Sequence, residues 1–422
     1  MADAVRDWLF GLEAAGITLG LASIRALLAE LGHPEQAFAT VTVAGTNGKG
    51  SVTAMVERGL RAAGRRTGRY TSPHLTSIEE RVAIDGLSIG AGAFDHAAEL
   101  VREAACRLPS RPSYFEATTA VALVAFRDAA VEVAVLEVGL GGRLDATNAA
   151  DATLAVITNI GLDHEAFLGN TIEAIAAEKA GVIKPGASVV VGRTSEQAMG
   201  VISSKARDIG ASLIYAPNDV VAHATLSRRE SWLALRTPVQ DYGKLRLALP
   251  GRHQIDNAIT AVRALEVAGE RGIARVNASA ISVALSDVRW PGRLDWRRWR
   301  DCDVLVDGAH NPDGARALAE FVSETLGARV PIVVGIMRDK AIAEVFQALA
   351  SVASVFVCTA PSTTRAATPD ELLEIASRVV PDVRCVTATT PLEALTRAAL
   401  DGSPIVVAGS LFLAADVLGL VA

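Results

Sequence analysis

The segment Ala44-Gly45-Thr46-Asn47-Gly48-Lys49-Gly50-Ser51 joins a β-branched run, Phe38 to Ala44, to a pattern in which Val52, Met55, Val56 and Leu60 recur at helical steps. A glycine turn between strand and helix exposes backbone N–H groups to an anion, and the helix dipole adds positive potential there. Lys49 can reach the outer phosphates of a nucleotide, and Ser51 a bound magnesium ion. The common phosphate-loop pattern would place glycine at position 43 and Ser or Thr directly after the lysine; Val43 and Gly50 stand there instead. On these residues alone, an ordinary glycine turn stays open.

Other chemistry-bearing residues stand where strands end, the edge at which parallel α/β sheets bind ligands. Glu137 closes an apolar run between Leu136 and Val138. A carboxylate there is costly unless paired or metal-bound, so metal binding and helix capping compete. Asp163-His164 follows the next apolar run; by itself His164 reads as a loop histidine, because magnesium prefers oxygen. Lys179 lies in an amphipathic pattern, Ile172 to Ile183, and by itself reads as a solvated surface lysine. The polar loop Gly139 to Asn148, with Arg143 and Asp145, is a candidate substrate lid or a plain connection. Asp307, in Asp307-Gly308-Ala309-His310-Asn311-Pro312, could hold ribose hydroxyls, though a turn or cap is the simpler role. Arg293 could reach phosphates from the opposite side.

Positioning these residues requires strands that alternate with helices. Residues 1–37 read as helical, with a break at Gly16 to Gly20. Val131 to Val138, Leu154 to Thr158 and Ala187 to Gly192 are continuous apolar runs separated by helical patterns, which implies a parallel sheet covered on both faces. Residues 213–250 suggest a small antiparallel patch, and 256–268 return to helix. Trp290-Pro291-Gly292-Arg293 is the candidate linker. Beyond it, Val304 to Val306, Ile332 to Gly335, Val355 to Thr359 and Ile405 to Gly409 begin a second strand–helix series. The expected architecture is α/β: a parallel-sheet domain over 1–289 and a smaller α/β domain over 290–422.

The 422 residues suffice for two domains, and 50% hydrophobic content with 21% charged residues fits a well-buried globular chain. A net charge of −6 argues against general nucleic-acid binding, which needs clustered cations. Cys106, Cys302, Cys358 and Cys385 lie far apart and give no disulfide framework. The acidic N-terminus is unlike a signal peptide, and no apolar run approaches the ~18 residues of a membrane span, so a cytoplasmic address without membrane partners is expected.

Taken together, the motifs resemble the folylpolyglutamate synthase and dihydrofolate synthase family of the Mur ligase superfamily. The resembling stretches are Val43 to Ser51, Tyr70-Thr71-Ser72-Pro73-His74-Leu75, Leu136 to Asn148, Leu162-Asp163-His164, Glu178-Lys179-Ala180-Gly181, Pro291-Gly292-Arg293 and Asp307 to Pro312. The resemblance implies a P-loop ATPase-like N-terminal domain and a Rossmann-like C-terminal domain. It implies that Asn47, Gly48, Lys49, Gly50 and Ser51 bind ATP phosphates, that Ser72, Glu137 and His164 hold Mg2+, and that Lys179 is carbamylated. Asn257, Arg293 and Asp307 match nucleotide-contacting positions, with His310 nearby as a catalytic candidate beside Lys49 and Lys179. Thr18, Leu19, Gly20, Leu21, Ser113, Phe115, Leu144, Asp145 and Ala146 fall at positions that meet the pteroate or folate substrate. One departure is Glu165, where members often carry Thr after the histidine.

The resemblance thus implies a monomeric ligase that binds ATP and Mg2+ between its domains, with a monovalent cation as a further candidate. Such a ligase adds L-glutamate to dihydropteroate and to folates through an acyl phosphate. Three alternatives stay open: a folylpolyglutamate synthase alone, a Mur ligase acting on a cell-wall precursor, and a phosphate-loop kinase or binding module. Only about 40 residues precede the phosphate loop, too few for the nucleotide-sugar domain that the cell-wall enzymes would need.

Overall fold

The computed structural model describes residues 2–13 and 19–421. The chain divides into two compact units. The first comprises Met1–His223, Ala234–Leu245 and Ile255–Val288; the second comprises Ala224–Leu233, Arg246–Gln254 and Arg289–Ala422.

The first unit is built on an eight-stranded sheet. Its strands are β1 (Ala39–Ala44), β2 (Thr67–Tyr70), β3 (Val82–Ile84), β4 (Leu87–Ser88), β5 (Val133–Glu137), β6 (Leu154–Ile157), β7 (Ser188–Val191) and β8 (Ser212–Tyr215). They lie in the order β4-β3-β2-β5-β1-β6-β7-β8. The six from β2 to β8 are parallel, while β3 and β4 form an antiparallel edge. β1, β5, β6 and β7 are buried nearly throughout, which explains their unbroken apolar sequences. Side chains alternate between faces. Gly68, Tyr70, Ala134 and Leu136 face the helix Tyr114–Asp128, with the Tyr70 and Thr118 hydroxyls 3.1 Å apart. Thr67, Arg69, Val135 and Glu137 take the other face, toward the helix Lys49–Ala62, where Thr67 donates to Glu57.

Three further strands, β9 (Val221–Leu226), β10 (Ser231–Arg236) and β11 (Asp241–Leu247), form a separate sheet in the order β11-β10-β9. Their tight connections require antiparallel neighbours. The patch expected over 213–250 is therefore smaller than its sequence bounds: residues 212–215 are β8, paired parallel with β7.

The second unit carries β12 (Asp295–Trp299), β13 (Cys302–Val306), β14 (Val330–Val334), β15 (Ala353–Cys358), β16 (Arg384–Thr387) and β17 (Ile405–Ala408), in the order β12-β13-β17-β14-β15-β16. All pair in parallel except β12 with β13. Separate apolar clusters cover the two faces, as in a doubly wound fold. Four of its helices start at Asn311, Thr368, Thr390 and Ser410, whose side chains accept from the backbone N–H three residues on.

Candidate active site

β1 runs into the glycine turn, and the helix Lys49–Ala62 starts directly after Gly48, which caps it in a left-handed conformation at φ 80°. The Asn257 side chain fills the place that a Cβ on Gly48 would need, so only glycine fits there. Asn257 thus reaches the turn from the helix Arg252–Glu270. Lys49 folds back over the turn, its Nζ donating to Gly45 O at 3.1 Å and to Thr46 O at 3.0 Å. Positive charge and helix amides therefore meet at one concave turn, with Ser51 buried in the first helical turn.

The strand tips on either side add oxygen donors. Parallel register sets Glu137 beside Val43, level with the start of the turn. The Glu137 carboxylate is buried, and Ser72 N approaches its Oε2 at 3.4 Å. A carboxylate and a hydroxyl-bearing residue at this edge are the hard donors that magnesium takes. Beyond β6, Asn159 Oδ1 accepts from Asn47 N at 2.8 Å, and Thr46 Oγ1 accepts from Gly161 N at 3.0 Å. Three residues later His164 sits at φ 53°, its N–H bonded to Asp163 Oδ1 and its Nε2 4.0 Å from Asp163 Oδ2.

Lys179 is 5% exposed, which overturns its reading as a surface lysine. Its Nζ donates to Gly45 O at 2.7 Å. Burial above all, and then the charge of Lys49, lowers its pKa to about 7, against the opposing pull of Asp163 and Asp145. A sequence signal did exist. Ile172, Ile175, Lys179 and Val182 fall on one helical stripe, so the lysine occupies a core position.

The loop after β5 is held from within. Asp145 accepts from Gly139 N at 3.0 Å, Leu140 N at 2.8 Å, Thr147 N at 3.0 Å and Thr147 Oγ1 at 2.6 Å. Burial raises the pKa of this carboxyl against all four bonds. Arg143 fastens the loop to the helix that carries Lys179, through Glu178 O at 2.8 Å and the Glu178 carboxylate at 2.7 Å. Leu144 O accepts from Gly20 N at 3.4 Å, which brings the Leu19–Leu21 segment to this loop. Thr18 lies outside the described residues, as does the Gly16 end of the expected helix break. Ser113 caps the helix Tyr114–Asp128 in a reciprocal pair with Glu116. The Phe115 ring lies 6.1 Å from that of Tyr70 and over Gly139, and Ala146 is buried.

In the second unit, Asp307 accepts from Leu294 N and Ala309 N, both at 2.8 Å. It shapes the turn on which Arg293 and His310 stand. Arg293 Nη1 donates to Gly292 O at 3.0 Å, and His310 Nδ1 lies 2.8 Å from Gly308 O.

Residues 43–265 match the Mur ligase middle domain, and residues 292–411 match the Mur ligase glutamate ligase domain. The chain belongs to the Mur ligase family. Within that family, a dihydrofolate synthase/folylpolyglutamate synthase of Bacillus subtilis is 34% identical over 356 residues, covering 82% of each chain. A probable bifunctional folylpolyglutamate synthase/dihydropteroate synthase of Haloferax volcanii is 37% identical over 97% of this chain, which spans 49% of that relative's length. Among solved structures, Mycobacterium tuberculosis folylpolyglutamate synthase complexed with ADP gives a TM-score of 0.92 at 32% identity, covering 100% of this chain and 99% of that one. Escherichia coli FolC in complex with DHPP and ADP gives 0.86 at 32% identity, covering 99% and 97%. These matches bear out the folylpolyglutamate synthase and dihydrofolate synthase branch of the Mur ligases and the two α/β parts expected from the motifs.

Among the Mur ligase residues at this edge, sequence reasoning missed Thr46, Thr158 and Asn159, which tie the turn to the segment behind β6. The only available signal was their position at the ends of two apolar runs. Among the described residues, no helix is long and apolar enough to cross a membrane.

Proposed function

We propose that this Mur ligase is a bifunctional dihydrofolate synthase and folylpolyglutamate synthase, adding L-glutamate to dihydropteroate and to reduced folates at the expense of ATP. One observation carries the reading. Lys49 and Lys179 converge on the Gly45 carbonyl, in a glycine turn flanked by the buried Glu137 carboxylate.

In this reading residues 1–289 bind the nucleotide and 290–422 serve the glutamate ligase step. Asn47 to Ser51 grip the phosphates, and Asn257, Arg293 and Asp307 contact the nucleotide. The Asp307 carboxylate keeps lone pairs beyond its two backbone bonds. Ser72, Glu137 and His164 would hold Mg2+, which when bound neutralises charge developing on the transferred phosphoryl group. Lys49 supplies fixed positive charge on the other side of that group. The substrate carboxylate attacks the γ-phosphate, and the glutamate amino group then displaces phosphate from the resulting acyl phosphate. His310, whose Nδ1 lies 2.8 Å from Gly308 O, would serve that second step. A neutral Lys179 amine is a nucleophile for CO2, and its carbamate would place an anion next to Lys49.

Leu19, Gly20, Leu21, Phe115 and Leu144 offer the pteridine substrate a partly apolar wall. Asp145 and Ser113, both turned into their own backbone, act by fixing Leu144, Ala146 and Phe115 in place. A monomeric cytoplasmic enzyme with small-molecule partners, neither membrane nor nucleic acid among them, completes the reading.

The test is to incubate purified protein with ATP, Mg2+ and each acceptor in turn. Glutamate-dependent phosphate release is expected with dihydropteroate and with tetrahydrofolate. Lys49→Ala is expected to lower it by about 10²-fold or more while leaving thermal unfolding nearly unchanged. A phosphorylated acceptor accumulating without glutamate would replace the ligase with a kinase.

A further inference from the structure

The edge where the strands end carries a buried cation that the nucleotide reading leaves unused. Arg81 closes the short 3-10 turn Ile78–Arg81 and leads directly into β3. It is 7% exposed. Its carbonyl accepts from Thr71 N at 3.0 Å, next to Ser72, and Tyr70 stands opposite Val82 in the β2–β3 register. Arg81 therefore lies at the tip of β2. Its Nε donates to His74 Nδ1 at 2.8 Å, and its guanidinium carbon lies 5.2 Å from the centre of the Tyr114 ring. Tyr114 stands between Ser113 and Phe115 at the start of the helix Tyr114–Asp128.

The acids nearest in sequence are engaged elsewhere. Glu79 pairs with Arg6 at 2.6 Å. Glu80 accepts from Leu75 N at 2.8 Å and from Thr76 N and Ser77 N, both at 3.1 Å. Among the described residues, no carboxylate forms an ion pair with Arg81, whereas Arg263, which is also buried, pairs with Glu266. A buried charge without a counter-ion is costly. The Tyr114 hydroxyl beside it is likewise buried without a hydrogen-bond partner. A guanidinium presents five N–H donors in a fork that fits a carboxylate. Nε is spent on His74, which orients the fork and leaves its Nη groups for an anion.

The sheet order says which anion this is not. β3 lies three strands from β1, about 14 Å at ~4.8 Å per strand. The carboxylate that attacks the γ-phosphate has to sit at the turn after β1, so an anion on Arg81 is another group of the same acceptor. A folate acceptor carries one: the α-carboxylate of its terminal glutamyl group, a few bonds from the reacting γ-carboxylate. Dihydropteroate has no second carboxylate.

We propose that Arg81, oriented by His74 and backed by the Tyr114 ring, is a specificity-determining residue that binds the α-carboxylate of a glutamyl acceptor. The inference rests on the folate-ligase reading proposed above and deepens it: Arg81 favours acceptors that already carry glutamate.

The experiment measures kcat/KM of the full-length protein for tetrahydrofolate and for its α-carboxamide analogue, which keeps the shape and loses the charge. The wild type is expected to prefer the carboxylate about tenfold or more, as charge-assisted bidentate bonds do, and Arg81→Met to bring that preference close to one. Arg81→Met is also expected to lower kcat/KM for tetrahydrofolate by a larger factor than that for dihydropteroate. Should Arg81→Met fail to fold, Arg81→Lys keeps the charge without the fork and is expected to shift the preference in the same direction by a smaller factor. An unchanged preference in folded variants overturns the assignment, as does a rise confined to the KM for L-glutamate, which would give Arg81 to the incoming amino acid. A wild type that uses tetrahydrofolate and its amide equally well overturns the α-carboxylate subsite and leaves the proposed function standing. One that turns over no folate removes both.

Discussion

Lys179 and Lys49 share one acceptor: their ammonium nitrogens lie 2.7 Å and 3.1 Å from the carbonyl oxygen of Gly45. Burial above all disfavours the charged form of Lys179, and repulsion from Lys49 adds to it, so the Lys179 pKa falls to about 7. A carbamate on Lys179 would turn that repulsion into an attraction.

The first prediction concerns CO2 and pH. Removing CO2 from buffers is expected to lower ligase activity, and added bicarbonate to restore it. In CO2-free buffer the amine stays bare, with a folded pKa of about 7 against about 10.4 in an unfolded chain. Between those values the unfolded chain binds more protons, so stability rises as pH climbs from about 7 to about 10, while below 7 the full penalty of the buried charge is present. Urea midpoints across this window should climb more steeply in the wild type than in Lys179→Met. Parallel curves would mean that the amine titrates normally and would remove the reason for carbamylation.

Phe115 carries the second prediction. Its ring packs against Tyr70 at 6.1 Å and over Gly139, at the start of the helix that Ser113 caps. If its exposed part stacks on the flat heterocycle of the acceptor, Phe115→Ala raises KM for dihydropteroate about fivefold, in line with the ~1 kcal/mol that an aromatic contact adds beyond buried area. KM for ATP should stay fixed, because the ring packs over Gly139 in the loop after β5 and not on the turn after β1. Steady-state kinetics with each substrate varied separates the two. A parallel rise in both constants would mark Phe115 as ordinary core.

How far the sequence revealed this arrangement depends on how each part is stabilised. Val133 to Leu136 and Ile405 to Val407 were legible because strands buried on both faces have unbroken apolar sequences. β12 was not: Asp295-Trp296-Arg297-Arg298-Trp299 is an edge strand, and charge on an edge protects it from unwanted pairing while erasing its hydropathy signal. The motifs placed Lys49 and Glu137 on one sheet edge, yet Lys179 read as a surface residue because burial of an amine depends on the sheet it packs against. The bonds from Thr158 and Asn159 to Asn47 join residues more than a hundred positions apart. They exist only because β6 lies beside β1, an order that no local pattern encodes.

The third prediction concerns a buried charge network behind the same edge. Glu57 is 1% exposed and accepts from Thr67 Oγ1 at 2.6 Å and Arg61 Nε at 2.9 Å, with Arg69 Nη1 at 3.9 Å. Arg69 stands opposite Val135 in the β2–β5 register, on the face that carries Glu137 one pleat further along. Burial lowers the Arg69 pKa, and Glu57, followed more weakly by Glu137, supports its charge against Arg61. Removing one partner of such a pair leaves an uncompensated buried ion, so Glu57→Gln should cost about 3–5 kcal/mol. Arg69→Met leaves Glu57 its bonds to Thr67 and Arg61, and should cost less, about 1–3 kcal/mol. If the two charges depend on each other, the double variant loses less than the two single costs added, by roughly 1–3 kcal/mol. Urea unfolding of the four proteins measures the difference. Strict additivity would show that Arg69 is held by something other than Glu57, with the carboxylate of Glu137 the next charge to test.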